Sequence, residues 1–91
     1  MKFMRIVAMN SEGYFIQETE ALYGWKANWK QRIISFEDFI QYMKENFAKE
    51  YNEFVESSKT VEEFFYNYGC TDKMIAKGES YIFKANKYEN N

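Results

Sequence analysis

The sequence predicts an α+β fold in which a small antiparallel sheet, built from N- and C-terminal hairpins, has one face covered by a long amphipathic helix and a short second helix. Three observations carry this expectation. Apolar runs with β-branched and aromatic members flank turn signals near both ends of the chain. Between them, large apolar residues recur at helical spacing from residue 36 to residue 54. Finally, Thr60 with Glu63 opens a further stretch with the pattern that caps a helix N-terminus.

Residues 2 to 9 and 14 to 18 are the first pair of strands, separated by Asn10, Ser11, Glu12 and Gly13, a polar turn ending in glycine. After a loop through Gly24, the alternation of Trp29, Gln31 and Ile33 with Lys30, Arg32 and Ile34 reads as a third strand. Ser35 offers an N-cap, and Glu37 and Asp38 follow in the first turn, where the helix dipole favours negative charge. From there Phe36, Phe39, Ile40, Met43, Phe47, Tyr51 and Phe54 fall within one stripe about 120° wide at about 100° per residue. This predicts a core-facing helix over 36 to 56, with Phe47 in the core.

Thr60 then caps a shorter helix over 61 to 68. Val61, Phe64, Phe65 and Tyr68 form its apolar side, and Gly69 stands where a left-handed C-terminal cap belongs. Residues 73 to 77 and 80 to 87 flank Lys77, Gly78 and Glu79 and read as a second hairpin. The layout is ββ(β)ααββ, with the long helix lying on one face of the sheet.

At 91 residues the chain forms one domain, 1 to 91, with one core. No run of about 18 apolar residues is present, and the apolar start is too short for a signal-peptide core, so the expectation is a cytoplasmic protein without a membrane partner. With Cys70 as the sole cysteine, no internal disulfide is possible and packing must stabilise the fold.

Histidine is absent, which removes the commonest general base and transition-metal ligand. Neither a Ser–His nor a Cys–His nucleophile pair can form, and no zinc site of Cys/His type can be built. The four glycines are too scattered for a phosphate-cradling loop. The expectation is therefore no enzyme, no catalytic residue, no metal and no cofactor. Glu50 is the one acid on the apolar stripe, between Phe39 and Met43 in angle; it is either a buried acid with a raised pKa or the mark of a helix that bends before that turn.

Charge is distributed unevenly. Residues 21 to 34 carry 3 basic and 0 acidic groups, whereas 35 to 63 carry 3 basic and 8 acidic, a balance of −5. Two candidate binding surfaces follow. One is the outward face of the long helix, where Asp38, Tyr42, Glu45, Glu53 and Glu56 cluster, with Tyr42 as the aromatic contact among acids. The other is the segment of Trp25, Lys26, Trp29, Lys30 and Arg32, which mixes aromatic planes with cations as single-stranded nucleic acid or an acidic partner would require. The acidic face is preferred, since contacts fixed on a helix lose less entropy on binding.

These observations point to a small interaction protein that binds and modulates, in the inhibitory direction, a larger host macromolecule, a protein with a basic surface. Nucleic acid is the second choice. Small inhibitors made by phages and other mobile elements, anti-CRISPR and other anti-defence proteins among them, share this size and this lack of active-site residues.

Overall fold

The chain is described by a computed structural model that covers residues 2–20, 28–55, 58, 60–71, 74 and 81–85. Strand β1 (Phe3–Met9) and strand β2 (Gly13–Thr19) form the expected N-terminal hairpin. Its turn is closed by Asn10, whose Oδ1 accepts from the backbone N–H of Glu12 at 2.8 Å and of Gly13 at 3.1 Å. Gly13 is required by close approach: a Cβ there would lie 1.9 Å from the carbonyl oxygen of Ile34 on β3 (Lys30–Ser35).

β3 pairs with β2, and the two-residue β4 (Phe83–Lys84) pairs with the outer edge of β1, both antiparallel, giving the order β3-β2-β1-β4. The sheet is thus four-stranded and antiparallel. Alternation sends Met4, Ile6, Tyr14, Ile16, Ile34 and Phe83 to one face, where all are buried. Helices α1 (Phe36–Asn46) and α3 (Val61–Tyr68) bury Phe39, Met43 and Phe64 against that face.

Both helices begin where the sequence places them. Ser35 is at once the last residue of β3 and the N-cap of α1, its Oγ accepting from the Asp38 N–H at 3.2 Å, so strand passes into helix without a loop. Thr60 does the same for α3, accepting from the Glu63 N–H at 3.0 Å.

Two expectations are corrected. The helix predicted over 36 to 56 breaks at Phe47 (φ −136°, ψ 44°) and resumes as the short α2 (Ala48–Glu50) and a π-helical turn, Tyr51–Val55. A straight helix of 20 residues spans about 30 Å, whereas a seven-residue strand spans only about 23 Å. At the break the Phe47 ring lies in the core, 6.1 Å from Phe83 and 5.6 Å from Tyr42.

Gly69, expected in a left-handed cap, is extended (φ −75°, ψ 151°) and forms a parallel bridge with Ile6. The Cys70 N–H donates to the Ile6 carbonyl at 2.6 Å, so this segment continues the cover of the β1 edge that β4 begins. Glycine is needed because a Cβ would stand 2.6 Å from the Phe65 ring. As for the expected second hairpin, its turn and most of its first arm lie outside the described residues; Met74 is helical, and β4 pairs with β1.

Phe47 is wholly shielded from solvent at the junction of α1, α2 and β4. Phe47→Ala should therefore lower the unfolding free energy by about 3 to 5 kcal/mol in urea denaturation. A loss below about 1 kcal/mol would mean that the ring is not a core element.

Candidate functional site

Of the acidic helical face, Tyr42 does not belong to the surface. It is 9% exposed, and its ring packs with Phe39 and Phe47. The cause is in the sheet. Met4, Ile6 and Ile16 point toward the helices, and by the same alternation so do Glu18 and Arg32.

Glu18 sits in the middle of a knot. It accepts from the Tyr42 hydroxyl, from Arg32 Nε at 2.9 Å, and pairs with Lys2 Nζ at 3.4 Å. Both cations also lie over the Tyr42 ring, Arg32 at 5.2 Å and Lys2 at 5.5 Å from its centroid. Burial works to raise the Glu18 pKa, but the bonds from Arg32 and Tyr42 and the two nearby cations outweigh it and hold the carboxyl below its ordinary value. Burial first, and then the Glu18 carboxylate, push the Tyr42 phenol well above its usual range.

The basic aromatic segment is divided between the two faces of the sheet. Arg32 faces the helices and is neutralised by Glu18. Trp29 lies on the opposite face, where the Arg5 guanidinium stacks 4.0 Å from its ring centroid and Arg5 Nε donates to Gln17 Oε1 at 2.8 Å. Gln17 in turn donates to Gln31 at 3.0 Å, so this face carries a polar ladder across three strands. Lys30 is exposed; Trp25 and Lys26 lie outside the described residues. Trp29 and Arg32 thus form no common platform.

Asp38, Glu45 and Glu53 are exposed as expected, and Glu45 accepts from Gln41 at 2.8 Å one turn away; Glu56 lies outside the described residues. The exposed aromatic ring that Tyr42 was expected to be stands elsewhere. Tyr66 on α3 is 88% exposed, and it lies about 200° from the buried Phe64 at about 100° per residue. One turn before it is Glu62, with Glu63 beside, both exposed. The signal was present in the sequence: once Val61, Phe64, Phe65 and Tyr68 are assigned to the apolar side of α3, Tyr66 is left among acids.

Where the first turns of α1 and α3 meet, a cleft of about 360 Å³ opens. The buried rings of Tyr14, Phe39 and Phe64 back it, and half-buried Phe36, Ile40 and Val61 border it. Its polar groups are already engaged or shielded. The Tyr14 hydroxyl donates to the Val61 carbonyl at 2.6 Å, Thr60 Oγ1 caps α3, and Ser58 Oγ is shielded from solvent without a hydrogen-bond partner among the described residues. Glu37 stands on the rim. Burial, and after it the charge of Glu62, drive the Tyr14 phenol far above its ordinary pKa.

Glu50 is half-buried beyond the break at Phe47, the outcome expected if the helix bends. It acts as a clamp on β4, its Oε1 accepting from the Lys84 N–H at 2.8 Å while the Tyr81 hydroxyl bonds the same carboxylate. Burial raises its pKa against the pull of those bonds. Among the described residues, no three His, Cys, Asp or Glu side chains converge to hold a metal, and no helix is long and apolar enough to cross a membrane. Comparison with known protein families, curated proteins and solved structures gives no match.

Glu18 and Glu50 should give opposite pH signatures. A carboxyl with a depressed folded-state pKa contributes stability that is complete above its unfolded value, about 4.5, and is lost as the pH falls through the folded value. Glu18→Gln should therefore lower the melting temperature most at neutral pH, with the deficit shrinking below about pH 4.5. The raised pKa of Glu50 reverses the sign, so wild type should lose ground to Glu50→Gln as the pH rises from about 4.5 through the folded value. Thermal denaturation between about pH 3 and pH 7 checks both; a Glu18→Gln deficit independent of pH would contradict the charged role of this residue.

Proposed function

We propose that this protein is a non-enzymatic interaction protein that binds and inhibits a larger macromolecule, a protein with a basic surface, through the outward faces of α1 and α3. The observation that carries this reading is Tyr66, a large aromatic almost fully open to solvent beside Glu62 and Glu63, on a helix whose other side is fixed in the core. Aromatic residues at such positions are the usual anchors of protein interfaces, and rigid support limits the entropy lost on contact.

The charge balance supports the same choice. On α1, α3 and the turn after α2, Glu37, Asp38, Glu45, Glu53, Glu62 and Glu63 are exposed, against Lys44 and Lys49. Such a surface attracts a basic partner and accelerates its encounter. Nucleic acid would instead be repelled here, and on the sheet Arg32 is committed to Glu18 and Arg5 is stacked on Trp29, which leaves Lys30 as an exposed cation of β3. An anti-defence role of the anti-CRISPR type is the narrower form of this proposal, resting on the small size and the absence of histidine. Glu50, the acid best placed for chemistry, supports the non-enzymatic reading because its carboxylate already accepts two bonds from β4 and its flank.

The test is capture from the native host on the tagged protein, followed by mass spectrometry, with wild type and two double variants compared. Tyr66→Ala with Glu62→Lys should abolish capture of the partner while leaving the helical circular dichroism intact, at a stability cost of about 1 to 2 kcal/mol from reversing a charge in the first turn of α3. Lys30→Glu with Arg5→Gln should leave capture unchanged. Loss of capture in the second variant alone would move the binding surface to the sheet and favour an acidic partner or nucleic acid.

A further inference from the structure

Beyond its charged surface, the helical layer contains an opening with little to offer a polar ligand. The cleft between the first turns of α1 and α3 is walled by Phe36, Ile40 and Val61 and backed by Tyr14, Phe39 and Phe64. The Tyr14 hydroxyl is bonded to Val61, Thr60 Oγ1 to Glu63, and Ser58 Oγ is shielded, so what the cleft presents is ring edges and methyl groups. Inside, the rings already meet edge to face, Tyr14 with Phe36 at 5.0 Å and 87° and with Phe39 at 4.7 Å and 65°. A further aromatic ring extends such a cluster favourably.

Size and charge narrow the occupant. Ligand sites run from about 300 to 1,000 Å³, and at about 360 Å³ this one has room for a single large side chain. Glu37 lies on the rim, Asp38 is exposed beside it, and Glu62 is close enough to act on Tyr14. No lysine or arginine lines the cleft among the described residues. An anionic group would be repelled, whereas a cation adjoining the ring would be drawn in.

We infer that the cleft seats one aromatic side chain, flanked by lysine or arginine, from a basic segment of the partner protein. This rests on the reading of the helical layer as the binding surface and adds to it the apolar anchor point. Tyr66 and its acids attract and orient the partner, and the cleft selects those partners that carry a ring beside the cation.

The test uses three blocked tripeptides, Lys-Trp-Lys, Lys-Ala-Lys and Glu-Trp-Glu, titrated into the protein with the methyl signals of Ile40 and Val61 followed by NMR. Lys-Trp-Lys should shift both signals saturably and bind at least about tenfold more tightly than either of the others. Val61→Trp, which fills the cleft from its own wall, should erase that tenfold advantage; Ile40→Trp serves the same purpose should the first variant lose its helical circular dichroism. Three results would overturn the inference: Ile40 and Val61 signals unmoved by Lys-Trp-Lys, equal binding of the tryptophan and alanine peptides, or equal binding of Lys-Trp-Lys and Glu-Trp-Glu. The acidic-surface reading is judged separately, since it fails only if partner capture survives in the Tyr66→Ala, Glu62→Lys variant.

Discussion

Tyr14 is the point on which both helices bear. Its ring contacts Phe36 and Phe39 of α1 and Phe64 and Phe65 of α3, and its hydroxyl reaches the first carbonyl of α3. A phenol suits this position because it supplies a large apolar body to the core and a donor that adds a bond from β2 to the Val61 carbonyl of α3. Phenylalanine would pack equally well but remove the side-chain bond from β2 to α3. The cleft between the helix starts is a consequence of the same residue, since Tyr14 holds the two N-termini to a common ring and forms the back of the space between them.

A second tyrosine fixes how α1 is rotated. The Glu18 knot gathers Lys2 before β1, Arg32 from β3 and Tyr42 from α1 around a single carboxylate on β2. A half-buried carboxylate is costly unless it is bonded on several sides, and here three groups share that task. Their arrangement turns Tyr42 inward and leaves α1 without an exposed aromatic ring, while Asp38 and Glu45, within about 60° of it around the helix, stay exposed beside it. Among the described residues the exposed aromatic ring of the helices is therefore on α3, at Tyr66.

At the other side of the sheet, the outer edge of β1 is covered in pieces. β4 pairs with Phe3 and Met4, and Gly69 and Cys70 take over at Ile6. The Tyr81 N–H donates to Cys70 Sγ at 2.9 Å, and Glu50 accepts from the Lys84 N–H, so the short edge strand is held by side chains at both ends. An exposed strand edge invites unwanted pairing with other chains. Such side-chain fastening lets two residues of strand do what a longer strand would do by its own hydrogen bonds.

Local chemistry was legible in the sequence because it needs only near neighbours. Asn10 closes the first turn, Ser35 and Thr60 cap their helices three residues on, and the alternation of β1 and β2 sets which side chains face inward. The α+β layout with an antiparallel sheet under helices and the burial of Phe39, Met43 and Phe47 follow from those patterns. What sequence could not decide were contacts between residues far apart along the chain. Tyr42 lies about 60° from Phe39 around the helix, an angle compatible with core or surface, and Glu18, 24 positions earlier, resolved it. Arg32 looked like a free cation until the pairing of β2 with β3 set it beside that same glutamate. Gly69 had the residue type of a left-handed cap, but the edge of β1 drew it into extended pairing. Helical periodicity continued through Phe47, yet the backbone leaves the helix there. In each case the local preference was nearly neutral, and a partner supplied by the tertiary fold tipped the balance.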